Sequence, residues 1–260
     1  MEDDSQMAWR KKAYNVETLR QLAKAELPRP IFDFADGGAE DERTLRRNEN
    51  AFDDYWLVPR PMNGAADRDL SVEFLGHRYS IPLVIGPTGL SGLFWPDGEC
   101  ATARAATATG AGFCLSHGSV CTLEALADTK AHPRWMQVFL YRDRPFTKEL
   151  VRRAEAANYD GIVLTIDNQL LGKRERDLAN GFTIPPEFSL VQSVAMLGKI
   201  KWWWRMRGEL RRITFGNYVR PGKKEDIKKL ASRMAELLDP SLSWKDVDWI
   251  RGMTSKPLII

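Results

Sequence analysis

Long hydrophobic runs are missing from this 260-residue sequence. No window approaches the roughly 18 uninterrupted apolar residues of a membrane-spanning helix. The N-terminal stretch MEDDSQMAWRKKAYN has no apolar core, so it does not read as a signal peptide. Cysteine is scarce: Cys100, Cys114 and Cys121 are an odd number, with no C-x-x-C and no Cys/His cluster. That argues against a disulfide framework and a zinc finger. It predicts reduced, mostly buried thiols in a cytoplasmic protein. Histidine is equally rare, at His77, His117 and His132. No G-x-G-x-x-G follows an apolar run and no P-loop is present, which removes the usual sequence signs of a dinucleotide fold and a phosphate cradle.

What is present is ordinary globular composition, 43% hydrophobic and 28% charged, with a formal net charge of +3. The charge is unevenly placed. The stretch KIKWWWRMRGELRR, Lys199 to Arg212, has six Lys/Arg and one Glu, a local +5 that leaves −2 for the rest of the chain. A local basic patch points to a local anionic partner.

Apolar, β-branched runs alternate with helical patterns. Strands are expected at Ile81–Thr88, Gly112–Ser116, Trp135–Tyr141, Gly161–Asp167 and Lys256–Ile260. Four are near-continuous hydrophobic runs, as in parallel strands covered on both faces. Helices are expected at Pro96–Thr109, Thr122–Ala127, Arg144–Asn158 and Ser243–Gly252, the last opening on a capping-box-like SWKD. Three more precede the first strand, roughly Val16–Glu26, Arg29–Asp36 and Glu40–Ala51. Alternation of this kind builds a doubly wound sheet or a (β/α)8 barrel. The missing glycine fingerprint favours the barrel. Residues 182–224 break the alternation and read as a long insertion after the fourth strand, a place where function concentrates.

Several motifs, taken in order, resemble the FMN-dependent 2-hydroxy-acid dehydrogenase and oxidase family. They are IFDFADGGAEDERTLRRNENAF, IPLVIGPTGLSGLFWPDGECATARAA, LSHGS, MQVF, LTIDNQLLGKRERDL and SWKDVDWIRGMTSKPLII. GPTGLSGLFWPDGE and GKRERDL lean toward its mandelate-dehydrogenase branch. The resemblance implies a TIM barrel preceded by helices, with FMN at the C-terminal mouth of the strands and a 2-hydroxy acid oxidised to a 2-oxo acid. It implies one domain over residues 1–260, with an N-terminal helical extension (1–75), about four and a half β/α units and an insertion (183–224). The family's base histidine, flavin-stabilising lysine, second carboxylate-binding arginine and phosphate loops would lie beyond Ile260. An incomplete barrel leaves open sheet edges, so the expectation is an N-terminal part that needs a complementary segment. The rival reading is a non-catalytic, membrane-binding remnant of the family.

The resemblance also implies residue roles. Pro87, Thr88 and Gly89 match the loop along the isoalloxazine, and Ser116 matches a further ring contact. Gln137 and Thr165 match partners of the flavin's polar edge, and Arg174 matches an arginine that binds the substrate carboxylate. Singly, each is ordinary: a buried Gln, a Thr chosen for β-propensity, an Arg on a charged surface. As an ordered set at strand ends they fit barrel chemistry, because uncharged groups suit a neutral ring and an Arg fork suits a carboxylate. His117, beside Ser116, reads as a site-lining residue. Two positions depart from the family. Phe34 and Phe139 stand where it carries tyrosines facing the substrate. Each lost hydroxyl removes a polar partner worth about 1–3 kcal/mol, so a substrate that is larger, more apolar or of another kind is expected.

Within Lys199–Arg212, a helix would gather Ile200, Trp202, Trp203, Trp204, Met206, Leu210 and Ile213 in an arc of about 200°. Three explanations compete. Trp202, Trp203 and Trp204 with Arg205 and Arg207 could form an interfacial anchor on anionic lipid, and the mandelate branch resembles this in carrying a membrane-binding segment here. The segment could instead pack internally or on another subunit of a family-type homo-oligomer. It could bind nucleic acid, which the net-negative remainder of the chain argues against. The anchor reading leads. It implies a peripheral protein on the inner face of a membrane, with a quinone as electron acceptor.

Overall fold

The near-continuous apolar runs form one parallel sheet. The computed structural model describes residues 12–64, 66–167, 172–181, 198–209, 213–218, 239 and 241–260. In chain order the elements are helices α1 (Val16–Glu26), α2 (Arg29–Asp36) and α3 (Arg43–Asn50), then strands β1 (Val72–Phe74), β2 (His77–Tyr79) and β3 (Val84–Ile85). Then come α4 (Gly98–Ala108), β4 (Gly112–Leu115), α5 (Leu123–Asp128), β5 (Arg134–Phe139), α6 (Arg144–Ala156) and β6 (Gly161–Thr165). The last are α7 (Glu175–Ala179), α8 (Ile200–Met206), α9 (Trp244–Arg251) and β7 (Leu258–Ile259). No helix among the described residues is long and apolar enough to cross a membrane.

The sheet runs β3-β4-β5-β6-β7, every neighbour parallel. Strand order therefore follows chain order, as in successive staves of a (β/α)8 barrel. A doubly wound sheet would reverse direction partway. Helical starts follow local chemistry. The Thr122 hydroxyl accepts from Ala125 N at 3.1 Å to cap α5. Ser243 and Asp246 form the reciprocal capping box of α9.

The chain groups into two compact units, 1–54 with 172–207 and 55–171 with 208–260. In the first, α2 buries Ile31 and Phe32, and Arg176 of α7 binds Asp36 and Glu42. In the second, Met136, Val138, Ile162 and Leu164 of the sheet are buried with Ala103 and Ala106 of α4, Leu123 and Leu126 of α5, and Leu150, Val151 and Ala154 of α6. Cys100 and Cys114 are buried thiols, and burial pushes the pKa of Cys114 up to about 12.

Three expectations change. The first barrel strand shrinks from Ile81–Thr88 to two residues, because Leu83 N turns back to Ile81 O at 2.7 Å and prolines flank the run. Residues 1–75 are not helical throughout: β1 opens an antiparallel hairpin with β2, closed by Leu75 and Gly76, both at positive φ. The helix expected over Lys199–Arg212 covers Ile200–Met206, while 210–212 and most of 183–224 lie outside the described residues.

Candidate flavin and substrate site

The C-terminal ends of β3 to β6 carry the residues singled out for a flavin. Pro87, Thr88 and Gly89 follow β3, Ser116 follows β4, Gln137 lies within β5, and Thr165 ends β6. Parallel register aligns them: Gln137 sits opposite Val163, and Phe139 opposite Thr165.

A hydrogen-bonded relay crosses three strands. Gln137 Oε1 accepts from His117 N at 3.2 Å and lies 2.7 Å from His117 Nδ1. Gln137 Nε2 donates to Thr165 Oγ1 at 2.9 Å. His117 is buried, and desolvation lowers its pKa to about 4 against the smaller opposing pull of Gln137. The imidazole is therefore neutral near pH 7. With Nδ1 carrying the proton toward Oε1, the amide orientation is fixed. Valence then leaves the second amide N–H of Gln137 and the hydroxyl proton of Thr165 for an acceptor-rich ring edge.

The loops after β3 and β4 are locked together. Leu90 N donates to Gly118 O at 3.0 Å, and a Cβ on Gly89 would stand 3.2 Å from that oxygen. Position 89 tolerates close approach because it lacks a side chain. Buried Glu99 binds both loops through one oxygen, which accepts from Ser91 N at 2.9 Å and Val120 N at 3.0 Å. Ser116 Oγ accepts from Gly118 N at 3.2 Å, and Thr88 Oγ1 lies 3.2 Å from Ser91 Oγ. Asn217 completes the frame: its Nδ2 reaches His117 O and Ser119 Oγ, and its Oδ1 accepts from Leu123 N.

An aromatic cluster lies beside the relay. His117 packs at 4.3 Å from Phe139 and 5.7 Å from Tyr218, ring centre to ring centre. Tyr141 and Tyr218 share a hydrogen bond between their hydroxyls, and burial raises both pKa values. Phe139 thus belongs to an aromatic wall beside a neutral imidazole.

Arg174 and Phe34 meet in the other unit. Arg174 Nε donates to Asp177 Oδ2, Nη2 donates to Phe34 O, and the guanidinium carbon lies 5.4 Å from the centre of the Phe34 ring. The fork is anchored on one side and stacked on an aromatic face, which leaves further N–H donors for a carboxylate. Phe34 keeps the stacking that a tyrosine would provide and lacks its hydroxyl.

Sequence reasoning passed over Glu99, Asn217, Tyr141 and Tyr218. Glu99 lay in view inside the PDGE motif as an acidic residue opening a helix. Asn217 and Tyr218 had no local signal, because their partners His117 and Tyr141 lie 100 and 77 positions upstream.

The Trp-rich segment is partly corrected. Trp202 is 1% exposed and Met206 is buried, so neither faces a lipid surface. Arg205 pairs with Glu26 of α1 at 2.9 Å. Trp204 is 69% exposed, with the Arg207 guanidinium 3.7 Å from its ring centre. Trp203 is half-buried against Trp202.

Consecutive parallel strands with a polar relay at their C-terminal ends define a barrel protein of the (β/α)8 type. The chain matches the FMN-dependent dehydrogenase family over residues 23–260, and it belongs to that family. The monotopic membrane protein (S)-mandelate dehydrogenase superimposes with a TM-score of 0.89 at 33% identity, over 94% of this chain and 65% of that one. A soluble mutant of the membrane-associated (S)-mandelate dehydrogenase from Pseudomonas putida gives 0.76 at 33% identity, over 95% and 63%. Glycolate oxidase 3 of Arabidopsis thaliana is 36% identical over 247 residues, which covers 95% of this chain and 61% of the relative. Human 2-hydroxyacid oxidase 1 is 36% identical over 246 residues, covering 94% and 61%. The chain thus spans about three fifths of the length of these curated relatives.

Proposed function

We propose that this chain supplies the flavin-facing wall and one carboxylate clamp of an FMN-dependent enzyme that oxidises a 2-hydroxy acid to a 2-oxo acid. The relay from His117 through Gln137 to Thr165 carries the reading. Its groups are uncharged and pre-oriented, which fits a neutral isoalloxazine, and Gly89 removes a side chain where the loop backbones approach closely. FMN, when bound, supplies the acceptor for the hydride from the substrate α-carbon. On this reading Gln137 and Thr165 orient the ring, Pro87, Thr88 and Ser116 line it, and Glu99 holds the two loops that present them. Arg174 binds the substrate carboxylate. Phe34 and Phe139 favour a substrate with an apolar side chain, in keeping with the mandelate named for two of the structural relatives. The roles assigned here to residues of this chain are binding and positioning.

The test is FMN binding to the purified chain, followed by quenching of flavin fluorescence. Gln137→Leu removes three hydrogen bonds of the relay and is expected to weaken FMN binding about fivefold or more, since a lost polar partner costs about 1–3 kcal/mol. Equal affinity of Gln137→Leu and the parent chain, with both folded by circular dichroism, would end the proposal.

A second feature supports peripheral membrane association. Ile200, Trp204 and Arg207 follow one another at helical spacing and are all exposed. The stacked Trp204–Arg207 pair suits the headgroup layer, with an anionic inner leaflet as partner and a lipid-soluble quinone as electron acceptor. A family-type homo-oligomer is the assembly that goes with this reading.

A further inference from the structure

The sequence shows no cluster of metal ligands, yet the fold assembles one. His77 lies on β2, His132 in the loop before β5, and Asp160 in the turn before β6. One ligand atom from each lies within 4.8 Å of the other two. His132 Nδ1 is 3.0 Å from Asp160 Oδ2, and His77 Nε2 is 3.5 Å from Asp160 Oδ1. The two imidazoles stand edge to face, 4.8 Å between ring centres. We propose that His77, His132 and Asp160 form a binding site for a divalent transition-metal ion of the zinc type, which ties the β1–β2 hairpin to the starts of β5 and β6.

The chemistry of the set carries the proposal. Two imidazole nitrogens and one carboxylate oxygen are the three protein ligands of many zinc sites, with water in the fourth position. Zinc bonds of roughly 2.0–2.1 Å place tetrahedral donors about 3.3 Å apart. The contacts to Asp160, 3.0 Å to one carboxylate oxygen and 3.5 Å to the other, lie near that spacing, and rotation of His132, which is 52% exposed, brings the donors toward one ion. Asp160 is the more buried member, and Arg134 N donates to its Oδ2 at 2.8 Å. That fixes the carboxylate as an outer-shell partner fixes a ligand. A bound dication satisfies all three groups at once.

The site lies at the N-terminal end of β5 and β6, opposite the end that carries the Gln137 relay. It is therefore separate from the flavin reading. The direct test takes the full chain, stripped with chelator, and titrates it with Co2+ and then Zn2+. One Co2+ per chain is expected, with visible bands of a tetrahedral or five-coordinate ion that vanish as Zn2+ displaces it. His77→Gln and Asp160→Asn should each weaken affinity by more than the roughly 10–100-fold seen when an orienting partner is lost. His132→Gln is the variant least able to disturb folding, and circular dichroism verifies that. Asp69→Asn, just before β1 and outside the cluster, should leave the titration unchanged. Zn2+ should raise the melting temperature of the parent chain and not that of His132→Gln. Absence of stoichiometric Co2+ binding, or binding that survives His132→Gln unchanged, overturns the proposal.

Discussion

At the scale of single residues, His117 sets how the protein responds to acid. Its folded pKa is lowered to about 4 because the ring is buried, while an unfolded histidine titrates near 6.5. Between those values the unfolded chain binds the proton and the folded chain does not. The contribution of His117 is complete above about pH 6.5 and is lost progressively as the pH falls toward 4. A shift of this size corresponds to about 3 kcal/mol. Urea unfolding at stepped pH should therefore show stability falling through this window, and His117→Gln should flatten the fall. An acid limb identical in the variant would show that other groups control it. Tyr79 offers a second residue-level test. Its hydroxyl is buried and has no hydrogen-bond partner among the described residues. Tyr79→Phe is expected to leave stability unchanged or raise it by about 1 kcal/mol, since an unmet buried hydroxyl destabilises. A loss above that size in thermal unfolding would reveal a partner. Residues such as Gln137, Thr165 and Arg174 could be singled out because each stands in an ordered motif. His117 was legible only as a neighbour of Ser116. Its bond to Gln137 depends on strand register, which no local pattern in either segment encodes.

At the scale of elements, strands and helices of one dominant period were readable. β4, β5 and β6 fall within a residue or two of the expected runs, because continuous β-branched stretches bounded by Gly, Asp or Pro have few alternatives. The β1–β2 hairpin was missed because its turn uses Leu75 at φ 51°, where Asn or Gly is the usual signal. β3 was overestimated because apolar content says nothing about the turn at Ile81–Leu83. The loops after β3 and β4 depend on Glu99 at the start of α4, and Glu99→Ala strips an acceptor from two backbone N–H groups. The expected cost is about 2–6 kcal/mol, at roughly 1–3 for each buried group left unpaired. Amide exchange should speed up at Ser91 and Val120 ahead of the rest of the sheet. Uniform exchange across the sheet would place the role of Glu99 elsewhere. On α8 the two faces should differ sharply. Trp202→Ala opens a buried site and should cost about 3–5 kcal/mol, whereas Trp204→Ala, exposed, should stay within about 0.5 kcal/mol.

At the scale of the whole molecule, the decisive quantity is where the charge sits. The stretch from Lys199 to Arg212 has a local +5 in a chain whose total is +3. Periodicity placed all three tryptophans on one apolar arc. The structure divides them, since Trp202 and Met206 serve the protein interior while Ile200, Trp204 and Arg207 face outward. Sequence alone could not make that division, because an amphipathic helix looks the same whether its apolar face meets lipid or protein. The apolar surface that α8 exposes is small, chiefly Ile200 and Trp204, so lipid binding through it must lean on electrostatics. Each Lys or Arg near an anionic surface is worth about 1 kcal/mol, and that attraction is screened within a Debye length of about 8 Å at physiological salt. The chain should therefore float with vesicles rich in phosphatidylserine at low salt, release as salt rises, and ignore purely zwitterionic vesicles. Trp204→Ala should weaken flotation severalfold without lowering the melting temperature, and Arg207→Glu should weaken it more, because it reverses a charge at the headgroup layer. Trp202→Ala should act in the opposite sense, lowering stability first and flotation only through unfolding. Flotation that persists at high salt, or that is blind to Trp204 and Arg207, would mean that some other surface meets the lipid.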